Sequence, residues 1–164
     1  MLEYAEKWWI GRNRLIRPIT TAKAKQRHVQ RAPYVAVYFD NDLPTNVVSF
    51  GGQWVSVRFF DYLGRDSLVY SFKELEHGKL FLSQAVCWEY EGSDEKDTVS
   101  HMFNFSEGRT VVVTTHDHVQ AKTEERTAIA KIDANLETYP CFGKYERLTK
   151  RDRISVEDDF VFPA

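Results

Sequence analysis

Cysteine is scarce in this chain of 164 residues, which contains only Cys87 and Cys141. Small secreted proteins that depend on disulfides carry a dense set of cysteines, and many structural zinc sites use Cys-x-x-Cys pairs, which the sequence lacks. We therefore expect two free thiols and no disulfide framework.

Long hydrophobic runs are missing as well. No stretch approaches the roughly 20 apolar residues that cross a bilayer as a helix. The first residues also lack the order of a basic segment followed by an apolar one that marks a signal peptide. From these absences we expect a cytoplasmic protein that has no membrane partner.

Motifs that carry well-known chemistry are absent too. The sequence has no glycine-rich phosphate loop after a strand, no Gly-x-Ser-x-Gly and no His-Glu-x-x-His. It has no zinc-finger spacing, no RNA-binding signature and no basic overall charge, so nucleic acid is not a favoured partner. We expect a protein without a cofactor and lean towards one that is not an enzyme.

What the sequence does contain is a succession of β-rich segments between residues 34 and 133, separated by turn residues. In the segment from Leu80 to Tyr90, strict alternation would place Leu80, Leu82, Val86, Trp88 and Tyr90 on one large apolar face. Chain reversals follow every 8 to 15 residues or so, which is typical of an antiparallel meander.

The predicted fold class is therefore mainly β: a curved sheet or barrel of about 7–8 antiparallel strands. We expect a single domain, because the chain is of ordinary domain length. Residues 1–33 would form a short helix at Leu2–Ile10 followed by a basic arm, residues 34–150 the β body, and residues 151–164 an acidic and aromatic tail.

Charge is unevenly distributed along the chain. The residues from Tyr34 onward include 14 basic and 22 acidic side chains, whereas the segment from Gly11 to Arg31 has no acidic residue. The basic residues of that segment are Arg12, Arg14, Arg17, Lys23, Lys25, Arg27 and Arg31. Such an arm could bind an acidic partner, and it could also fold back on its own acidic body.

A histidine pair gives the sequence its one suggestive metal motif. His116 and His118 share a strand face, and His101 or Glu124 could supply a third ligand. With Gly108 ahead of them, these residues are similar in outline to the first metal-binding motif of cupins. The spacing departs from that motif on both sides, and no second motif follows.

Three functions from different classes fit these patterns. The first is a non-catalytic module that binds another protein through a charged face, such as an inhibitor, an immunity or antitoxin-like protein, or an adaptor. The second is a barrel that encloses a small hydrophobic ligand and could act as an isomerase or cyclase. The third is a cupin-like metal enzyme built on the histidine pair.

The second function carries its own candidate residues. Those predicted to surround a ligand are Trp54, Tyr70, Trp88, Tyr90 and Phe103. Those that could transfer protons are His101, His116, Tyr90 and Glu89. A strand left unpaired at the edge of an incomplete barrel could also join a second copy of the chain in a homodimer.

Overall fold

The computed structural model describes residues 1–130 and 135–154. Eleven strands, one α-helix and two short 3-10 turns, Ile10–Arg12 and Glu76–Gly78, make up the described part. The strands are β1 (Leu2–Trp9), β2 (Arg14–Pro18), β3 (Tyr34–Asp40), β4 (Leu43–Gly51), β5 (Trp54–Phe60), β6 (Asp66–Glu74), β7 (Lys79–Tyr90), β8 (Asp97–Phe105), β9 (Thr110–Asp117), β10 (Lys122–Ile129) and β11 (Leu136–Thr138). The helix α1 is Thr21–Val29.

All eleven strands belong to one antiparallel sheet, and ten of them follow the order β10-β9-β8-β7-β6-β5-β4-β3-β1-β2. The eight strands from β3 to β10 form the predicted meander, in which each strand pairs with the next. β11 pairs with the first residues of β7, a stretch that β8 does not reach. The curved, mainly β prediction is confirmed, but the sheet does not close into a barrel and has more strands than expected.

The prediction of a helix at Leu2–Ile10 is wrong. These residues form β1, which pairs with β2 on one side and with β3 on the other. Good helix formers in this segment set only a weak preference, and two ladders of strand hydrogen bonds outweigh it.

The one helix lies instead inside the basic arm. Helix α1 begins after Thr20, whose side chain accepts a hydrogen bond from the backbone N–H of Lys23 as an N-cap. It connects β2 to β3 and contacts β1 and β3. The arm is thus a folded part of the sheet edge.

Tight turns make the meander compact. Asn41 and Asp42 both have positive φ, 46° and 64°, which is the two-residue hairpin geometry that suits the twist of the flanking strands. The Gly51-Gly52 pair forms a tight turn between β4 and β5, with Gly52 at φ 58°.

Aromatic side chains fill the inner face of the sheet, the face that carries Tyr70 and Phe103. The largest fully buried side chains are Tyr34, Tyr70, Tyr145, Phe59, Phe72 and Phe103. A smaller apolar cluster on the outer face joins Val35, Val37, Val47 and Phe60 to Ala5 of β1. Both faces are therefore covered near β1, and one face is covered elsewhere.

A β-bulge changes which side chains of β7 face the core. Ser71 pairs with Gln84 but Phe72 pairs with Leu82, so one extra residue of β7 lies between the two pairs. Leu82 and Cys87 are consequently buried on the same side, while Trp88 is only half-buried on the other. The predicted apolar face of this segment is wrong beyond Leu82.

The chain after β11 packs across the inner face. Tyr145 and Leu148 are fully buried, and the Tyr70 hydroxyl donates a hydrogen bond to the carbonyl of Arg151. Of the predicted tail 151–164, residues 155–164 lie outside the described residues. The helix of the described part is too short and too polar to cross a membrane.

Candidate functional site

A cavity of about 670 Å³ lies between the start of β6, the end of β7, the loop after β5 and the segment from Arg151 to Ile154. Three aromatic side chains line it: Tyr62, Trp88 and Tyr90. The other lining side chains are Asp61, Arg65, Ser67, Leu68, Cys87, Glu89, Arg151, Asp152 and Ile154. This volume is within the usual range for small-molecule sites, which combine an apolar lining with a few placed polar groups.

Hydrogen bonds fix the guanidinium group of Arg65 at the cavity wall. Its Nε donates to Asp61 at 2.7 Å, and its Nη1 donates to the carbonyls of Gly92 and Asp94 at 3.0 and 2.6 Å. The guanidinium carbon lies 4.2 Å from the centre of the Tyr90 ring, a cation–π distance. Arg65 thereby joins the loop after β5 to the loop after β7.

Arg151 provides the second cation of the cavity wall. Its Nη2 donates to the carbonyl of Phe60 and to the hydroxyl of Ser67, both at 2.9 Å. Within residues 1–130 and 135–154, its Nη1 and Nε have no hydrogen-bond partner. These N–H groups are available to an acceptor on a ligand.

Glu89 connects the cavity to a hydrogen-bonded chain on the inner face. Glu89 Oε1 lies 2.8 Å from His101 Nε2, and His101 Nδ1 lies 3.0 Å from the hydroxyl of Thr115. A carboxylate only accepts, so Nε2 donates to Glu89, and the Nδ1 of a neutral imidazole accepts from Thr115. This order of carboxylate, imidazole and hydroxyl is one that can accept and return a proton.

Neighbouring strands bring the three groups together. Glu89 is on β7, His101 on β8 and Thr115 on β9, and His101 is paired with Thr115 across the ladder. His101 is 8% exposed, whereas the Glu89 side chain is 37% exposed and lines the cavity. A ligand in the cavity would thus meet Glu89 directly.

Burial makes Tyr90 and Cys87, two of the other titratable residues of the cavity, poor proton donors near neutral pH. Loss of solvent raises the pKa of Tyr90 to about 12, and its hydroxyl donates to the carbonyl of Asp66 at 2.7 Å. Burial, with the nearby Glu89 carboxylate, raises the pKa of the Cys87 thiol to about 12. Neither group is a candidate nucleophile or general acid.

The histidine pair predicted to hold a metal lies on the outer face. The rings of His116 and His118 are 6.2 Å apart. His116 Nδ1 is 3.0 Å from the Thr123 hydroxyl, and His118 Nε2 is 3.0 Å from both Ser100 Oγ and Asp97 Oδ2.

Strand register keeps the proposed third ligands away from that pair. His101 and Glu124 are both paired with Thr115, which places them on the inner face, while His116 is paired with Ser100 on the outer one. Across the described residues, no group of three His, Cys, Asp or Glu side chains could hold a metal ion.

The structure divides the predicted aromatic ligand set into three groups. Tyr70 and Phe103 are fully buried in the core, and Trp54 is 51% exposed on the outer face. Only Trp88 and Tyr90 line the cavity. Of the predicted proton-transfer residues, Glu89, His101 and Tyr90 lie at or beside the cavity, and His116 does not.

The basic arm is partly used within the molecule. Arg27 pairs with Glu6 at 2.6 Å, and Arg31 pairs with Glu74 at 2.7 Å and stacks on Tyr139. Arg12, Arg14, Arg17, Lys23 and Lys25 are exposed.

Two of these exposed arginines belong to an apolar, basic tip. Arg12 and Arg14 stack on the ring of Trp9, with guanidinium carbons 4.9 and 4.8 Å from its centre. The Asn13 side chain donates to the carbonyl of Gly64 at 2.7 Å, which joins this turn to the loop after β5. We call these two joined turns the tip. Their exposed apolar side chains are Trp9, Ile10, Tyr62 and Leu63.

Sequence reasoning missed Arg65, Arg151 and Thr115. Arg65 had a weak local signal, since Asp61 precedes it by four residues at a turn. Arg151 had none, because the partners of its side chain are 84 and 91 residues away along the chain.

No family model, no curated protein and no solved structure matches this chain. The candidate function therefore rests on the geometry of the site alone.

Proposed function

We propose that the protein binds a small organic molecule in the cavity bounded by Arg65, Glu89, Tyr90 and Arg151. The observation that carries this proposal is the cavity itself, about 670 Å³, whose lining includes three aromatic residues, two arginines and three acidic residues. An aromatic or apolar body would contact the rings, while a polar group would meet Glu89 or Arg151. The chain from Glu89 through His101 to Thr115 would let the site exchange a proton with its ligand.

Fluorescence of 8-anilinonaphthalene-1-sulfonate tests the cavity, because this probe joins an aromatic body to an anionic group. We expect saturable binding to the protein and a loss of tenfold or more in the Ile154→Trp variant, whose larger side chain fills the cavity. Trp54→Ala, which removes an exposed ring on the outer face, should bind as the unmodified protein does. Equal binding by Ile154→Trp, with its circular dichroism unchanged, would refute the proposal.

Protein binding is a second candidate function, and the tip is the observation in its favour. Tryptophan, tyrosine and arginine are enriched at the energetic centres of protein interfaces, and here they lie exposed on two joined turns. The positive charge of Arg12 and Arg14 suits an acidic partner. Arg27 and Arg31 are occupied within the molecule, so the interface would use the tip rather than the whole basic arm.

Affinity capture from the host lysate tests this second candidate with paired variants. A true partner should be retained by the unmodified protein and by Arg17→Ala, and lost by the Trp9→Ala/Arg12→Ala double variant. A protein retained equally by all three would argue against the tip as its binding surface.

A further inference from the structure

A second cavity, of about 340 Å³, lies on the outer face where the end of β1 passes over β3, β4 and β5. Its apolar lining includes Trp8, Ile10, Val35 and Val47. Its polar lining is made by Glu6, Lys7, Ser49, Ser56 and Arg58. It shares no lining residue with the cavity of the proposed function.

The indole N–H of Trp8 is the unusual feature of this cavity. Its Nε1 is buried and has no hydrogen-bond acceptor among the described residues. Buried N–H groups are nearly always paired, because leaving one without an acceptor is costly. Trp8 also lines the cavity, so an acceptor on a ligand that shifts the ring slightly would complete this donor.

Other donors line the same cavity. The hydroxyls of Ser49 and Ser56, which are paired across β4 and β5, make no hydrogen bond within residues 1–130 and 135–154. Arg58 uses its Nη1 for Asp66, and its remaining N–H groups have no partner in that part of the chain. Three residues with donor side chains, Ser49, Ser56 and Arg58, thus line this cavity together with Trp8.

The charges of the lining favour an anion over a cation. Glu6 is the one acidic side chain there, and its carboxylate already accepts hydrogen bonds from Arg27 and Arg17 at 2.6 and 3.4 Å. These bonds hold the pKa of Glu6 below its ordinary value, so it stays ionised and paired. Lys7 and Arg58 give the lining two basic residues against this one acidic residue, and one of the two, Arg58, is itself paired with Asp66.

We propose that this outer cavity binds a small organic carboxylate. The carboxylate would accept hydrogen bonds from Trp8 Nε1 and from the Arg58 guanidinium, with Ser49 and Ser56 beside them. A guanidinium and an indole N–H are both suited to an oxyanion, since neither can act as an acceptor. The apolar body of the ligand would contact the Trp8 ring, Ile10, Val35 and Val47.

The indole N–H signals in a ¹H–¹⁵N correlation spectrum test the proposal directly. The chain has four tryptophans, and single Trp→Phe variants assign their signals. Titration with benzoate should shift the Trp8 signal saturably and leave the neighbouring Trp9 and the distant Trp54 unmoved. Benzyl alcohol, which has the ring without the carboxylate, should leave the Trp8 signal in place.

Two variants separate binding from folding. Arg58→Gln should weaken benzoate binding by tenfold or more, because it removes the charged donor. Ser56→Ala, a small change on a half-buried strand position, should weaken it several-fold without altering the spectrum elsewhere. The proposal would be overturned by a Trp8 signal that never saturates. It would also be overturned if both variants responded to benzoate as the unmodified protein does.

Inorganic phosphate distinguishes the class of ligand. If phosphate shifts the Trp8 signal as strongly as benzoate does, the site recognises charge alone and the organic carboxylate is the wrong ligand class. If only benzoate acts, the apolar half of the cavity contributes to recognition as proposed.

Discussion

His28 shows how single residues are held in this protein. The imidazole is 8% exposed and is surrounded by the rings of Tyr34, Phe50, Tyr139, Phe142 and Tyr145. Its Nε2 donates to the carbonyl of Pro140 at 3.0 Å, and its Nδ1 accepts from the Tyr34 hydroxyl at 2.7 Å. This arrangement satisfies the neutral ring, and burial lowers the pKa of His28 below its ordinary value of 6.5.

The lowered pKa of His28 predicts a pH-dependent stability. Below about pH 6.5 the unfolded chain binds a proton at His28 that the folded protein does not, so the free energy of unfolding should fall as the pH drops towards the folded pKa. Urea unfolding between about pH 8 and pH 5.5 should show this decline, and His28→Gln should reduce it. His116→Gln, on the outer face of the sheet, is the control and should keep the slope.

Acidic groups act in a different pH range. Hydrogen bonds to arginine side chains lower the pKa of Glu6, and hydrogen bonds to backbone N–H groups and to Arg65 lower the pKa of Asp61. The stability that these carboxylates contribute is therefore lost only as the pH falls below their ordinary pKa values of 4.5 and 3.8. A slope between pH 5.5 and 6.5 that His28→Gln leaves unchanged would contradict the assignment to His28.

The two cysteines predict a difference in thiol reactivity. Cys87 is buried with its pKa raised to about 12, whereas Cys141 is exposed. Iodoacetamide at about pH 8 should modify Cys141 readily and Cys87 only after denaturation, because the thiolate is the reactive form. Mass spectrometry of native and denatured samples measures both sites, and rapid native labelling of Cys87 would mean that it is accessible.

At the scale of single elements, turn geometry and one bulge decide which side chains meet. The bulge in β7 opposite Ser71 and Phe72 reverses the faces beyond Leu82, and so directs Cys87 and Glu89 inward. Without that reversal, Glu89 and His101 would lie on opposite faces of the sheet. The Glu89–His101 pair therefore depends on one extra residue in a strand.

The Gly51-Gly52 turn predicts unequal effects of two similar substitutions. Gly52 has φ 58°, where a Cβ is strained, while neither glycine has any atom within 4 Å of an added Cβ. Gly52→Ala should lower the free energy of unfolding by about 1 kcal/mol, because L-residues disfavour this conformation. Gly51→Ala, at an ordinary strand conformation with the same open space, is the matched control and should change stability little.

Thermal and urea unfolding of the two variants decide the point. If Gly51→Ala is as destabilising as Gly52→Ala, crowding or loss of strand pairing rather than φ would explain the cost.

At the scale of the whole molecule, the chain after β11 packs on the inner face of the sheet. Glu137 and Arg153 are 9% and 5% exposed and are joined at 2.9 Å, and Arg147 binds the other Glu137 oxygen at 2.8 Å. This segment also forms the cavity wall through Arg151 and Ile154. Its anchoring and the proposed ligand site are therefore coupled.

Breaking the buried pair should release that segment. Glu137→Gln leaves the buried Arg153 charge without its carboxylate, and we expect a loss of about 3 kcal/mol in the free energy of unfolding. Arg147→Gln, which removes a largely exposed partner of the same carboxylate, should lose less than about 1 kcal/mol. Similar losses in both variants, measured by urea unfolding, would show that Arg153 does not depend on Glu137.

The alternation of apolar residues and the spacing of the turns were sufficient to predict the antiparallel meander that β3 to β10 form. The alternation failed at Leu2–Ile10, because β1 gains its stability from two partner strands. The residues of β3 that pair with β1 lie 30 to 36 positions further along the chain. It also failed beyond Leu82 in β7, since a bulge leaves no periodic signal of its own. For the candidate site it named Glu89, Tyr90, Trp88 and His101 without showing that they lie together.

The sequence by itself determined the mainly β character, the positions of the turns and the types of residue that the cavities contain. These follow from local preferences: the period of two in a strand, the positive φ of glycine and asparagine, and the burial of aromatic rings. Tertiary contacts account for the open sheet, for the position of His101 on the face opposite His116 and His118, and for the position of Arg151 beside Phe60 and Ser67. Those outcomes depend on register and on contacts between residues far apart in the chain, which no local pattern records.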